Sequence, residues 1–424
     1  MAERLLERAF AEVDAARDEL VDFCARLVRV PSVNPPGEGY RECAEVLGAE
    51  LSRFGFEVAY HEAAGRPEHT KQHPRVNVIG RLRGERDRPR VHLNGHIDVV
   101  PPGTGWSVDP FAAVLRGGRL HGRGTADMKG GIAAAVYAVE ALRRAGATFG
   151  GSIDLSGTVD EESGGEAGVA WLCEQGLVSA DNTDYAIIPE PLNPDRVCIG
   201  HRGVYWSRVV AHGRIAHGSM PFLGSSAIEH IAHFVERVHS ELVPSLSGRT
   251  TSMPVMPPDA RRATLNVNSI QGGQAGQWPQ TPCVADRAEA IVERRFLLEE
   301  GFEQAKGEII ALLERAHSEN AERRYDLEDL LVVHPVQTPE GSELVRALDG
   351  AVQSVFGRAA QLIASPGTYD QKHFARLGGI EHTVAYGPGI LELAHQVDEY
   401  VAVDDLVAST KVLAAALLDL LDAR

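Results

Sequence analysis

The sequence has no apolar run approaching the roughly 18–20 residues that cross a bilayer, so no transmembrane helix is expected. Its opening stretch, MAERLLERAFAEVDAARDEL, is charged and amphipathic and lacks the apolar centre of a signal peptide. Cysteine is scarce. The five residues Cys24, Cys43, Cys173, Cys198 and Cys283 are odd in number and show no CxxC spacing, which sets aside a disulfide framework or a thiolate metal site. That usage fits a reduced, cytoplasmic protein. Positive charge is also short, with 42 basic against 59 acidic residues and a net charge of -17. Nucleic acids and anionic membranes both reward clustered Lys and Arg, so neither is expected as a partner. The one basic stretch, GRLRGERDRPR (80–90), reads as a solvated hairpin. There is no Walker loop, no GxGxxG following a strand and no GxSxG elbow, so nucleotide and serine-hydrolase chemistry lack their signatures.

What is present is ordinary globular material, 44% hydrophobic and 24% charged. At 424 residues the chain exceeds what one core accommodates, so two domains are expected. Helical spacing of Leu5, Leu6, Phe10, Val13, Leu20, Phe23, Leu27 and Val28 opens the chain, and PSVNPPGEG (31–39) breaks it. A helix at about 40–54 leads to strands near 56–60 and 75–83, then to the apolar VHLNGHIDVVP (91–101). GGIAAAVYAVEALRRAG (130–146) is an Ala-rich helix, and SIDLSGTVDEE (152–162) and DYAIIPEP (184–191) are strands ending in acid. This alternation predicts an α/β domain with a mixed sheet covered by helices. From about 200 the order becomes βαββαβ, which predicts a separate α+β domain inserted into the first. The expected boundaries are 1–199 and 335–424 for the larger domain and 200–334 for the insertion.

Several strand ends carry metal-type ligands. His96 and Asp98 sit at i and i+2 and so share one face of an extended strand. A ligand histidine needs an acceptor on its second ring nitrogen, and Asp98 is placed to supply one. Asp127 lies in GRGTADMKGG just before the Ala-rich helix, Glu161 and Glu162 end the next strand, Glu190 ends the one after, and His395 adds a further imidazole. Singly, each has a mundane explanation: a structural histidine, a helix N-cap, solvated surface charge. Together they repel one another unless a cation intervenes, and open α/β sheets collect ligands at the carboxyl ends of their strands. Oxygen and nitrogen donors without thiolate suit zinc first, and also manganese or cobalt. Five such ligands exceed one tetrahedral ion, so two divalent ions about 3.5–4 Å apart, sharing a carboxylate and a hydroxide, are the economical arrangement. One of the adjacent glutamates is then left over as general base, and the chemistry is hydrolysis.

These residues resemble the M20 metallopeptidases, which include acetylornithine deacetylase, succinyl-diaminopimelate desuccinylase, aminoacylase and glutamate carboxypeptidase. The resemblance runs through RLVRVPSVNPPGEG, GHIDVVPPGTGWSVDPF, GRGTADMKGG, TVDEESGG, IPEP, GRIAHGS and YGPG…AHQVDEY. It implies that His96 and Glu190 hold one ion and Glu162 and His395 the other, with Asp127 bridging and followed by a cis peptide to Met128. Glu161 falls on the general acid/base and Asp98 on the carboxylate behind His96. His217 matches a histidine of the inserted domain that serves a neighbouring subunit's site, which implies a homodimer in which the insertion dimerises and covers the site. Arg295, one of a tandem with Arg294, falls on an arginine that grips substrate carboxylate, and Gly367 and Thr368 on a loop near the pocket, where Asp370 is equally readable as a structural turn acid. The chain departs from the family at GGQAGQWPQTPCVAD (272–286), where an Asn-Val-Ile-Pro-like stretch is missing.

The expected function is cleavage of the amide of a small N-acyl amino acid. Dipeptidase or carboxypeptidase action, or hydrolytic removal of an amine from an amino-aryl acid, would use the same core. A non-catalytic binding protein on this fold is the reading of a different class. His230 and His233, one turn apart beside Glu229, are expected to be ordinary surface residues of the insertion.

Overall fold

The structure is a computed structural model that describes residues 2–274 and 282–424. The chain divides into two compact units, one of Met1–Gly200, Thr338–Ile363 and Tyr369–Arg424, the other of His201–Gln337 and Ala364–Thr368. The segment Ala364–Thr368 was expected within the larger domain. It groups with the insertion because Ala364 exchanges backbone hydrogen bonds with Pro254 and Met256 (2.9 and 3.1 Å) and Arg202 donates to the Pro366 carbonyl.

The first unit is an α/β arrangement around a mixed sheet. Its strands run in the order Glu57–Glu62, Val76–Leu82, Ser152–Thr158, Arg90–His96, Tyr185–Ile188, Thr383–Ala385 and Arg196–His201. Arg90–His96 is parallel to both Ser152–Thr158 and Tyr185–Ile188, so the carboxyl ends of three strands open on one edge. All seven residues of Arg90–His96 and of Ser152–Thr158 are buried, as befits central strands covered on both faces. The polar ones satisfy each other, with the Ser156 hydroxyl donating to Asn94 Oδ1 (2.6 Å) and lying 2.7 Å from His92 Nε2.

Helix Gly130–Arg144 is buried from Gly130 through Leu142, which its run of small residues permits. Helix Val403–Leu420 packs against it and against Glu343–Phe356 and Ala2–Ala15, while Tyr40–Arg53 covers Glu57–Glu62 and Val76–Leu82. One small sheet escaped the sequence reading: the hairpin Val114–Arg116 and Arg119–His121, paired with Tyr400–Ala402. Gly117 and Gly118, with φ of 58° and 72°, make its two-residue turn, and the Gly-Gly pair was the overlooked signal.

The second unit is an antiparallel sheet ordered Thr264–Gly273, Arg287–Phe296, Gly203–His212, Arg324–Val333, with helices Ala227–Arg237 and Phe302–Glu319 against it. Alternation along Arg287–Phe296 puts Ala288, Ala290, Val292, Arg294 and Phe296 inward. Much of the stretch in which the family asparagine is missing, residues 275–281, lies outside the described residues.

Candidate metal centre

Parallel strands ending on one edge bring the sequence-distant candidate ligands together. His96 is the last residue of Arg90–His96, Glu162 sits in the short turn Glu161–Ser163 after Ser152–Thr158, and Glu190 follows Tyr185–Ile188 by two residues. Asp127 stands in the non-helical turn before Gly130–Arg144, with φ -115° and ψ 95°, and its peptide bond to Met128 is cis. His395 occupies the left-handed region with φ 64°.

The two oxygens of Asp127 face different histidines. Oδ1 lies 3.0 Å from His96 Nε2 and Oδ2 lies 3.4 Å from His395 Nε2. His395 Nε2 is also 3.0 Å from Glu162 Oε2. Donors held by one ion at about 2.0–2.2 Å stand roughly 3.0–3.5 Å from each other, so these separations fit shared cations. Among the described residues, His96, Asp127 and Glu162 offer donor atoms all within 4.8 Å of one another. Glu190 is 8% exposed and feels the charges of Asp127 and His96.

The electrostatics of the protein groups alone point the same way. Burial raises the Glu162 carboxyl to about 7, reinforced by Asp127, and burial likewise pushes Glu190 well above the carboxylate range. Hydrogen bonds to Asp127 and Glu162 raise His395 to about 10. Burial works against the charged form of His96, but Asp127 and Asp98 outweigh it and hold the ring well above its usual value. For Asp127 burial is likewise outweighed, by the two imidazoles, and its carboxyl is held below the ordinary range. A cluster that draws protons onto two histidines is one that demands positive charge.

The supports were less legible in the sequence. His96 Nδ1 donates to the backbone carbonyl of Asp98 (2.9 Å), while the Asp98 carboxylate, at 3.5 Å, is the farther acceptor. That carboxylate instead accepts from Asn34 Nδ2 (2.9 Å) and from the backbone N–H groups of Glu161 and Glu162 (both 3.2 Å), fastening the turn that carries both glutamates. Asp160, at φ 61°, opens the same turn and is clamped by Tyr40 (2.7 Å) and Arg75 (2.8 Å). Glu399 accepts the N–H groups of Ala126 (2.9 Å) and Asp127 (3.2 Å) and pairs with buried Arg123. Glu399 lies in the same AHQVDEY motif as His395, and Asn34 in PSVNPP.

Glu161, beside Glu162, keeps its carboxylate nearly buried and 3.7 Å from Lys372 Nζ. Asp370 is 1% exposed, and burial raises its carboxyl to about 7.

The remaining expected residues lie in the second unit. His217 is exposed, and its Nδ1 accepts from the Ser219 N–H (3.2 Å), which leaves the proton of the neutral ring on Nε2. Arg294 is fully buried and paired with Glu300 (2.6 Å), whereas Arg295 is partly exposed and donates through Nε to Glu293 (2.6 Å). Of the tandem, Arg295 is therefore the arginine with an accessible guanidinium. Gly367 and Thr368 are half-buried. His230 and His233 do not converge: one faces Ser225 and the His212 carbonyl, the other Arg323 and Glu319.

The chain is similar to known proteins over most of its length. The succinyl-diaminopimelate desuccinylase of Gluconacetobacter diazotrophicus is 32% identical over 398 residues, covering 92% of this chain and 94% of that one. The dipeptidase Dug1p of Saccharomyces cerevisiae has the same fold, with a TM-score of 0.76 at 16% identity over 100% of this chain and 99% of that one. Human carnosine dipeptidase 1 superposes with a TM-score of 0.75 at 21% identity, covering 99% of both chains. The YXEP protein of Bacillus subtilis, a dinuclear metal binding peptidase, superposes with a TM-score of 0.67 at 16% identity over 96% of this chain and 99% of that one. The sequence pattern of peptidase family M20/M25/M40 matches residues 92–419, and the chain, a metal-dependent hydrolase, belongs to that family.

Proposed function

We propose that the protein hydrolyses the amide bond of a small N-acyl amino acid, as a deacylase or desuccinylase. The observation that carries the metal chemistry is the divided allegiance of Asp127, one oxygen toward His96 and the other toward His395. Identity of 32% with a desuccinylase along nearly the whole chain favours the acyl substrate. On this reading His96 and Glu190 would hold one divalent ion and Glu162 and His395 a second, with Asp127 shared; zinc would suit the donors, as would manganese and cobalt. Bound ions supply polarisation of the amide carbonyl and lower the pKa of water to near neutrality. The chain does the rest. Glu161, held by its backbone N–H on Asp98, takes the proton from the attacking water and delivers it to the leaving amine. Asp98 fixes the tautomer of His96 through its carbonyl.

The protein acts as a homodimer in which His217 serves the partner's centre and steadies the developing oxyanion. Strand Thr264–Gly273 is an edge, and Ile270, Ile228 and Phe222 of the same unit are exposed by 54%, 48% and 78%, as an interface would leave them in a lone chain. Arg295, Gly367 and Thr368 bind substrate.

The test measures amine release from N-succinyl and N-acetyl amino acids, dipeptides and amino-aryl acids with added Zn²⁺, Mn²⁺ or Co²⁺. Turnover confined to dipeptides would replace the acyl reading with the dipeptidase one, and no turnover at all would leave a binding protein. Glu161→Gln should retain its metal and lose about 10²–10⁴-fold in kcat; unchanged turnover would end the catalytic assignment.

A further inference from the structure

Lys372 is a charge that the metal centre does not explain. Its side chain is 7% exposed, and among the described residues its Nζ reaches no acceptor within hydrogen-bond distance. Its nearest anion, Glu161 Oε1, is 3.7 Å away, and Asp370 also feels its charge. The chain offers its own contrast in Lys129, completely buried, whose ammonium donates to the carbonyls of Leu27 (3.0 Å) and Val30 (2.8 Å) and so ties down the N-terminal helices. A lysine kept to balance carboxylates closes onto one of them, since ammonium–carboxylate bonds settle at about 2.7–2.9 Å. Lys372 stops short, with its donors unused beside the carboxylate that moves the proton. The aliphatic stem is buried while the ammonium is not one of the fully buried, unpartnered atoms, so an anion entering beside it replaces water on free N–H groups.

We propose that Lys372 is a substrate-binding residue whose ammonium takes a carboxylate of the substrate, next to Glu161. The inference rests on the reading of Glu161 and its neighbours as the reaction centre and deepens it. Asp127, Glu161, Glu162, Glu190 and Asp370 bring five carboxyl groups to this unit's centre, so an anionic substrate gains from a dedicated cation there besides the metal. A compact ammonium can serve Glu161 and an incoming carboxylate together through separate N–H groups.

The carboxylate could belong to the acyl part or to the amine part of the substrate, and three model amides separate these. N-succinyl-butylamine carries it only on the acyl side, N-acetyl-leucine only on the amine side, and N-acetyl-butylamine carries none. In the metal-loaded enzyme, Lys372→Gln should lower kcat/KM at least about tenfold on one carboxylate-bearing amide, chiefly through KM, and less than about threefold on N-acetyl-butylamine. Lys372→Arg should recover most of the loss. A common loss on all three substrates would overturn the proposal, because it would mean that Lys372 only positions Glu161 or holds the fold; no loss on any would overturn it too. Direct titration with succinate and with N-acetyl-leucine gives a readout independent of turnover. Wild type should bind one of them at least about tenfold more tightly than Lys372→Gln, and equal binding refutes the subsite. If none of the amides is hydrolysed, the proposed function fails while these titrations still decide Lys372. Variant metal content and thermal unfolding are compared with wild type throughout, and if Lys372→Gln does not fold, Lys372→Met carries the same measurements.

Discussion

Stripping metal from the loaded protein with a chelator at pH 7 should make it take up at least two protons. The number follows from the centre. Without a cation, His395 titrates at about 10 because it bonds Asp127 and Glu162, and the carboxylates around buried His96 hold that ring well above its usual value. Both imidazoles are then protonated at pH 7, yet a ligand imidazole must be neutral. Glu162, raised by burial to about 7, and Glu190, pushed by burial well above the carboxylate range, add to that uptake. The sign is fixed: protons compete with metal, so affinity for the ion pair falls as pH falls below the raised histidine values. With two or more protons displaced, the overall affinity for both ions should change by at least roughly 100-fold per pH unit between pH 6 and 8. Calorimetric titration of chelated protein with Zn²⁺ or Mn²⁺, in buffers of different ionisation enthalpy, counts the protons directly. Release of fewer than about one proton, or an affinity indifferent to pH, would refute the idea that these histidines and carboxylates form one cation-demanding cluster.

Two further outcomes follow from the geometry. Gly131→Ala would place a Cβ 1.9 Å from the Pro189 carbonyl oxygen, a backbone atom that cannot step aside without moving Glu190. The variant should lose about 2–3 kcal/mol and bind metal more weakly, seen as a lower unfolding temperature together with reduced metal content; wild-type values for both would contradict the packing argument. If His217 serves the partner's centre, His217→Asn and Glu161→Gln homodimers should each be nearly inactive, while heterodimers formed on mixing should regain about a quarter to a half of wild-type activity. Mixtures as inactive as their parents would mean that His217 acts, if at all, on its own subunit.

The α/β pattern, the βαββαβ insertion and the six metal-type side chains in four strand-end motifs and near residue 395 were legible because each leaves a local mark. Period-two and period-3.6 apolar spacing, acids following apolar runs, and glycines before a helix survive in a linear string. The supports left weaker marks. Asp98 was placed behind His96 by its i, i+2 spacing, yet its carbonyl makes the closer contact and its carboxylate fastens Asn34 and the Glu161–Glu162 turn. Nothing local distinguishes those uses. Arg294 and Arg295 are neighbours of one type, and only strand alternation in the folded sheet sends the first into a buried pair with Glu300 and leaves the second accessible.

By itself, then, the sequence determined the chemistry of the centre, because the choice of His, Asp and Glu donors without thiolate is a matter of composition and motif. The tertiary structure alone decided how those donors meet. Parallel pairing of Arg90–His96 with Ser152–Thr158 and Tyr185–Ile188 puts residues 96, 162 and 190 on one edge, and the turn at Asp127 aims its two oxygens at different histidines. It also decided that Lys372, unremarkable in SPGTYDQKHF, brings its ammonium to 3.7 Å from Glu161 on a mostly buried side chain. Contacts between residues some two hundred positions apart depend on burial and register, which no stretch of sequence records in itself.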